Sequence, residues 1–380
     1  MSTQAIPSTA TPAPFADSGR LTDSHGRAIT DLRVSVTDRC NYKCVYCRTG
    51  NDGAQYSELP LDDYLRIIRV FVALGIEKVR LTGGEPLLRR DLTTLIREIA
   101  QLRTSYGSDD SRPSACGGFR PSARGGSGQT ARGHNSARGH NLDIAITTNG
   151  HLLAAQAESL RKAGLTRVTV SMDAVDPDIF ARITRVPGSY DRVLEGVRAA
   201  QAIGLGPVKV NCVLLRGFND DQIGPFVHFA RAEGVILRFI EFMPLEEDRI
   251  WSPDTVIGYD ELKTRIGAVR PLVPLPATTP GETAQRFTFD DGIGEIGIIA
   301  PVSRAFCGAC SRVRLTSDGK IRTCLFSQMD HDLYGVLRRG GSDDDLATYI
   351  RQVIAQKEAR HHIGEPGFLK PSRSMVHIGG

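Results

Sequence analysis

Asp31-Leu-Arg-Val-Ser-Val-Thr-Asp-Arg-Cys40-Asn-Tyr-Lys-Cys44-Val-Tyr-Cys47 is the stretch on which the fold turns. Its first part belongs to a segment, Ile29 to Val36, that alternates loosely between apolar and polar residues, the period of a strand with two different faces. The strand runs through Thr37-Asp38-Arg39 into a loop with three cysteines spaced CxxxCxxC. Outward from there the text alternates strands and helices. Leu61 to Leu74 is amphipathic, opened by Pro60 and closed by Gly75. Ile76 to Thr82 is a strand that ends in Gly83-Gly84. Strand Asp143 to Thr147 precedes helix Leu152 to Ala163, and strand Arg167 to Ser171 precedes helix Tyr190 to Ile203. Strand Val208 to Leu214, helix Gln222 to Ala232 and strand Val235 to Ile240 complete the series. This rhythm predicts an α/β protein built on a parallel sheet, with about six units rather than the eight of a full barrel.

Two segments fall outside the rhythm. Thr104 to Asn141 is dominated by Gly, Ser, Arg, Ala and His and buries too little to order itself, so 104–141 reads as a flexible insertion. Beyond Pro253 the pattern becomes α+β: Phe287 to Val302 is hairpin-like around Asp290-Asp291-Gly292, and Leu346 to Ala359 is a late helix. The expected division is a loose extension at 1–18, a partial barrel at 19–252 and a C-terminal module at 253–380.

Composition narrows the function. The 380 residues are 41% apolar and 24% charged, so a sizeable core is expected. Lys plus Arg is 47 against 43 for Asp plus Glu, a net +4 that signals neither a nucleic-acid binder nor a membrane-surface protein. No run reaches the ~18 apolar residues of a spanning helix. Residues 1–18 lack the basic and apolar regions of a secretory signal, which points to the cytoplasm.

Six of the eight cysteines form two groups of three, Cys40, Cys44 and Cys47, then Cys307, Cys310 and Cys324. Three thiolates suit either a zinc site completed by a fourth ligand or an iron–sulfur cluster with one iron left open. Cys116 lies in the insertion, and Cys212, in an apolar strand, reads as a buried thiol. Arg33, Lys78, Arg80, Lys209 and Arg238 lie on or beside predicted strands, where a charge is costly unless paired. They are either paired with Asp and Glu, exposed at strand ends, or gathered around an anion. No GxxxxGK[ST] loop is present to cradle phosphates.

The CxxxCxxC loop with Tyr46 before its last cysteine, followed by Thr82-Gly83-Gly84-Glu85-Pro86, resembles the radical S-adenosylmethionine enzymes. The resemblance implies that Cys40, Cys44 and Cys47 hold a [4Fe–4S] cluster whose open iron binds S-adenosylmethionine. It places Tyr46, Gly84 and Glu85 beside that cofactor, with Glu85 helping the glycines meet its ammonium. Thr148, Ser171, Asn211 and Met243, at or near the ends of later strands, are implied as further contacts.

The second group narrows the likeness. Cys307-Gly-Ala-Cys310 and Cys324 enclose Ser311-Arg312-Val313-Arg314-Leu315-Thr316, and the chain ends in Gly379-Gly380. With Leu32 to Cys40, Val79 to Leu87, Val208 to Asn211 and Arg238 to Met243, this is similar to the GTP 3′,8-cyclase family, which opens molybdenum cofactor biosynthesis. The likeness covers about 20–103 and 142–380. It implies a TIM-like incomplete (β/α)6 barrel whose C-terminal module carries a second [4Fe–4S] cluster on Cys307, Cys310 and Cys324. GTP would be bound by Arg33, Lys78, Arg80, Lys209, Arg238, Arg312 and Arg314, with its phosphates on Lys78, Arg80, Lys209 and Arg238 and with Arg312 and Arg314 facing the same cavity beside the second cluster. A 5′-deoxyadenosyl radical would take the 3′ hydrogen of GTP, the C3′ radical would attack C8, and one-electron reduction would give the cyclised triphosphate. Gly379 and Gly380 would thread into the site and support activity. The resemblance also implies an external flavodoxin- or ferredoxin-type reductant, a handover to cyclic pyranopterin monophosphate synthase, and a homodimer. A peptide-modifying maturase, with more C-terminal cysteines, and a zinc-stabilised nucleic-acid binder are the competing classes.

Overall fold

The computed structural model describes residues 19–47, 54–106, 139–247 and 250–379. The expected 1–18 extension, Cys116, most of the insertion and Gly380 lie outside the described residues.

Strands β1 (Asp31–Ser35), β2 (Lys78–Thr82), β3 (Asp143–Thr148), β4 (Arg167–Ser171), β5 (Lys209–Leu214) and β6 (Ile236–Glu241) lie side by side, every neighbouring pair parallel. They are joined by α1 (Leu61–Ala73), α2 (Leu92–Gln101), α3 (Leu153–Ala163), α4 (Pro177–Thr184), α5 (Tyr190–Ala202) and α6 (Ile223–Glu233). Helix α1 starts at Pro60, with Asp62 and Asp63 in its first turn favouring the positive end of the helix dipole. Helix α4 was not anticipated from the sequence. Its start is nonetheless written there: Asp176 caps the backbone N–H groups of Asp178 and Ile179, and Pro177 takes the first helical position.

The C-terminal part adds α7 (Tyr259–Val269), β7 (Leu272–Leu275), β8 (Gln285–Phe289), β9 (Glu295–Ile299), β10 (Arg312–Leu315), β11 (Lys320–Arg322), β12 (His331–Asp332), α8 (Leu333–Arg338), α9 (Asp343–Ala355) and α10 (Met375–Ile378). Helix α9 begins earlier than the expected Leu346 because Ser342 and Asp345 form a reciprocal capping box. These strands do not build a sheet of their own. They extend the barrel sheet at both edges, giving twelve strands in the order β12-β11-β10-β1-β2-β3-β4-β5-β6-β9-β8-β7. Strand β9 runs parallel to β6 and β10 parallel to β1. The architecture is the expected partial barrel, with its C-terminal module grown onto the barrel's two open edges.

The segment expected to be flexible over 104–141 is pinned at both ends. Arg103–Thr104 pairs antiparallel with His140–Asn141, and Thr104 is buried. The insertion therefore starts from a short ladder near the beginning of β3.

Strand alternation separates two environments. Leu32, Val34, Val79, Leu81, Ile144 and Ile146 point to one face and are at most 1% exposed. The residues of the other parity, Arg33 on β1, Arg80 on β2, Thr147 on β3, Thr169 on β4 and Lys209 on β5, are polar. Burying one Leu, Ile or Val side chain stabilises by about 1.5–3 kcal/mol, so the apolar face fixes the register of every strand. Fixing the register fixes which residues face inward.

Candidate active site

The first cysteine loop is docked by the turn after β2. Gly84 N–H donates to the Thr37 carbonyl at 2.8 Å and Glu85 N–H to that of Arg39 at 2.7 Å. A Cβ at Gly83 or Gly84 would collide with those same carbonyls, and Gly83 has φ +144°. The double glycine is thus required by backbone packing against the cysteine loop. Cys40, Cys44 and Cys47 take no part in a disulfide among the described residues. Burial, reinforced by Asp173 and the other two thiols, pushes Cys44 well above its usual range.

Two buried carboxylates stand behind this loop. Glu85 is fully buried and its oxygens accept from Leu87 N–H at 2.9 Å, Thr148 Oγ1 at 2.7 Å and Asn149 N–H at 2.7 Å. The sequence reading aimed Glu85 at an ammonium; in the fold its bonds go to the turn at the end of β3. Burial raises it to about 7 against those hydrogen bonds. Asn149 in turn donates to Asn41 Oδ1 at 2.8 Å, inside the cysteine loop. Asp173, after β4, accepts from Tyr46 Oη at 2.6 Å and Val213 N–H at 2.8 Å, and burial raises it to about 6. Asn149 and Asp173 belong to the two strand ends that were expected to meet the cofactor, where the sequence reading named Thr148 and Ser171 as the contacts. Their signal is a polar residue directly beyond an apolar parallel strand, where such folds put their chemistry. Ser171 on β4 lies opposite Asn211 on β5, whose Oδ1 is buried without a hydrogen-bond partner. An orphaned buried acceptor is costly and suits a ligand that brings a donor. Met243, following β6, packs in a small apolar cluster with Leu245 and Ile378.

The inner face of the sheet carries an unusual concentration of cations. Arg33 lies directly opposite Arg80 on β2 and opposite Arg314 on β10, so three arginines stand at one level on adjacent strands. Like charges in that relation repel. Arg80 donates to Thr147 at 3.1 Å and Thr169 at 3.2 Å, both hydroxyls, which bring no compensating charge. Burial, with help from Arg80 and Arg312 and against Asp31, lowers Arg33 to about 10. Burial and then Arg238, Arg167, Arg80 and Lys78 lower Lys209 to about 7. Two expected phosphate ligands have carboxylate partners here: Lys78 pairs with Asp31 at 3.1 Å, and Arg238 lies 3.7 Å from Glu282.

The second thiol group lies at the other end of the strands. Cys307 and Cys310 precede the start of β10, which runs parallel to β1, whereas Cys40 follows the end of β1. Cys324 follows β11, which returns antiparallel to that same end. The arginine level therefore sits between the two groups. Arg312 donates to Cys310 Sγ through Nε at 3.3 Å and Nη2 at 3.2 Å. Although burial pushes Cys310 up, Arg312 and Lys357 bring it down to about 7, while burial dominates at Cys324 and raises it. Arg27 holds the loop from behind: it donates to the carbonyls of Cys307 at 2.8 Å, Ala359 at 2.8 Å and Glu358 at 2.6 Å, and pairs with Asp23 at 2.6 Å.

The donor set at each group is three cysteine thiols outside any disulfide. Among the described residues, no three Cys, His, Asp or Glu side chains close around one ion-sized centre. The fit to an iron–sulfur cluster therefore rests on donor chemistry, which is soft, anionic when bound and flanked at the second group by cations.

The C-terminal tail, described as far as Gly379, enters the same space. Arg314 donates to the carbonyls of Gly379 and, at 3.3 Å, of Ile378. A Cβ on Gly379 would lie 2.5 Å from Thr82 Cγ2, at the end of β2.

Comparison with known proteins gives the following. Residues 34–230 match the Radical SAM superfamily profile and 235–363 the Molybdenum Cofactor Synthesis C profile. A GTP 3′,8-cyclase of Xanthomonas axonopodis pv. citri (strain 306) is 42% identical over 338 residues, 87% of this chain and 90% of the relative. One from Xanthomonas campestris pv. campestris (strain B100) is 40% identical over 356 residues, 92% of this chain and 93% of the relative. Among solved structures, Streptococcus suis SuiB bound to precursor peptide SuiA has a TM-score of 0.56 at 15% identity, covering 92% of this chain and 76% of that one. That last likeness is one of fold. No helix among the described residues is long and apolar enough to cross a membrane.

Proposed function

The chain belongs to the GTP 3′,8-cyclase family of radical S-adenosylmethionine enzymes, and from that premise we propose how its residues divide the work. It is an enzyme of molybdenum cofactor biosynthesis that cyclises GTP in an S-adenosylmethionine-dependent radical reaction, to (8S)-3′,8-cyclo-7,8-dihydroguanosine 5′-triphosphate.

The observation that carries the assignment of roles is the row Arg314–Arg33–Arg80 between two thiol groups at opposite ends of the strands. A triphosphate relieves the repulsion within such a row by charge-assisted hydrogen bonds. Arg33, Arg80, Lys209 and Arg314 bind it, with Lys78, Arg238 and Arg312 at the margins. Cys40, Cys44 and Cys47 hold one [4Fe–4S] cluster; Cys307, Cys310 and Cys324 hold a second and face the guanine. When bound, S-adenosylmethionine on the reduced first cluster supplies the radical that takes hydrogen from C3′ of GTP. Asn211 offers its orphaned oxygen to that cofactor, and Tyr46, Gly84, Thr148, Ser171 and Met243 shape its seat. Glu85 acts through the Thr148–Gly150 turn that it holds. Fixing both ends of one nucleotide keeps C3′ and C8 in reacting orientation, an effective-molarity contribution. In this scheme 19–252 serves the first cluster and 253–380 the second, and Gly379 with Gly380 closes the space between them. A flavodoxin- or ferredoxin-type protein supplies electrons in the cytoplasm, the product passes to cyclic pyranopterin monophosphate synthase, and the enzyme works as a homodimer.

The test uses GTP carrying deuterium at C3′ and the reconstituted enzyme under anaerobic reducing conditions. Deuterium is expected in the 5′-deoxyadenosine released, with a cyclised triphosphate beside it. A cyclised product formed with its C3′ deuterium retained, and unlabelled 5′-deoxyadenosine, would overturn the assigned site of hydrogen abstraction.

A further inference from the structure

Arg373 lies outside every motif that identifies the family role, yet it is among the most completely engaged cations in the molecule. It is 5% exposed. Its Nη1 and Nη2 donate to the two oxygens of Asp318 at 2.9 and 2.8 Å, and its Nε pairs with Asp330 at 2.6 Å. The guanidinium also stacks over the Tyr56 ring at 4.0 Å, and Tyr56 meets the edge of His377 at 5.1 Å. Asp318 sits in the turn between β10 and β11, the hairpin that carries Arg314. Asp330 also holds the buried Arg322 on β11. One tail residue is thus clamped to the hairpin that presents a substrate cation.

The rest of the tail runs on from that clamp. Met375 N–H donates to the Leu245 carbonyl at 3.2 Å, and Lys370 pairs with Glu246 at 3.1 Å. The strap therefore spans from the loop after β6 to β10 and β1. It delivers the Ile378 and Gly379 carbonyls to Arg314. Arg314 is buried, and that burial together with Arg33, Arg312 and Arg322 pushes it well below the usual arginine range. The two tail carbonyls orient this guanidinium in surroundings dominated by like charge.

We propose that Arg373 is a positioning residue for GTP cyclisation: its clamp on Asp318 and Asp330 sets how far the tail enters the barrel and, through Gly379, where Arg314 points. This rests on the reading that the tail serves the reaction. A planar fork bridging two carboxylates and stacked on a ring is geometry that Lys cannot reproduce. Removing it leaves Asp318 without its counter-charge and Asp330 with Arg322 alone, so the tail should open more often.

The experiment compares wild type, Arg373→Ala, Arg373→Lys, a chain lacking Gly379 and Gly380, and the Arg373→Ala truncated chain, all reconstituted and full length otherwise. The first readout is release of the terminal glycine by carboxypeptidase under native conditions, which needs no turnover. Release should be about tenfold faster or more in Arg373→Ala, because release tracks the open population, and intermediate in Arg373→Lys. The second readout is GTP turnover. Arg373→Ala should lose about tenfold or more, and the combined variant should be no worse than truncation alone, as expected of residues acting through one another. Equal carboxypeptidase rates, or losses that multiply in the combined variant, would overturn the proposal. If truncation alone left GTP turnover intact, the tail reading would fail and with it the role of Arg373 in turnover, while the carboxypeptidase rates would still decide whether it pins the tail. Unchanged circular dichroism of Arg373→Lys guards against a mere folding defect.

Discussion

At the scale of single residues, Lys209 gives the sharpest expectation. Burial and four neighbouring cations hold it at about 7 against an ordinary 10.5. Without ligand the unfolded chain binds the extra proton between those values, so this group makes the fold gain stability as pH rises through that window. A bound triphosphate reverses the preference and draws a proton onto Lys209. GTP affinity should therefore fall as pH rises from 7 to 8.5, by up to about tenfold per pH unit. Lys209→Arg, which stays charged, should flatten the profile; an equally steep profile in that variant would place the proton elsewhere. The cysteines were legible in the sequence because their spacing is chemistry. The double glycine was legible as a close approach, but its partners, the Thr37 and Arg39 carbonyls, belong to another segment and no local pattern names them. Arg373 was missed for the same reason: it acts through residues distant in sequence, Asp318 and Asp330.

At the scale of elements, most strands and helices of the barrel could be read to within a residue or two, because buried parallel strands and one-sided helices have strong periods. The pairings of β9 with β6 and β10 with β1 could not, since register between partners 59 and 281 residues apart leaves no local trace. Those pairings decide the site, because they carry the second thiol group to the opposite end of the strands from the first. Arg27 belongs to this scale. It joins the small bridge of Thr22 with Ala28 to the Cys307 loop and to residues 358 and 359. Arg27→Ala leaves buried Asp23 unpaired and the Cys307 carbonyl unsupported, so the reconstituted protein should lose about half of its iron, that of the second cluster alone. Iron analysis with electron paramagnetic resonance, with and without S-adenosylmethionine, checks this; loss of the signal that responds to S-adenosylmethionine would contradict it.

At the scale of the whole molecule, the described residues form one barrel sheet that the C-terminal module extends at both edges, with a tail that reaches Arg314 and the end of β2. The long insertion leaves this body at the short ladder of Arg103–Thr104 with His140–Asn141, near the strand starts rather than the first cysteine loop. Replacing residues 107–138 with a short Gly-Ser turn should leave GTP turnover within about twofold, since loop length is cheap in free energy when its ends are already paired. A loss beyond about tenfold would give that segment a part in the reaction, which nothing in the ladder suggests. The central claim is that two thiol-held clusters flank a cationic floor built for GTP. Its most direct test is anaerobic incubation of the doubly reconstituted protein with a strong one-electron reductant and S-adenosylmethionine, with and without GTP, followed by mass spectrometry. The account predicts 5′-deoxyadenosine formation that depends on GTP, and a new triphosphate isomeric with GTP, since the hydrogen atom lost from C3′ is balanced by the one electron and one proton that the cyclised radical takes up. Formation of 5′-deoxyadenosine at the same rate without GTP, and no new nucleotide, would contradict it.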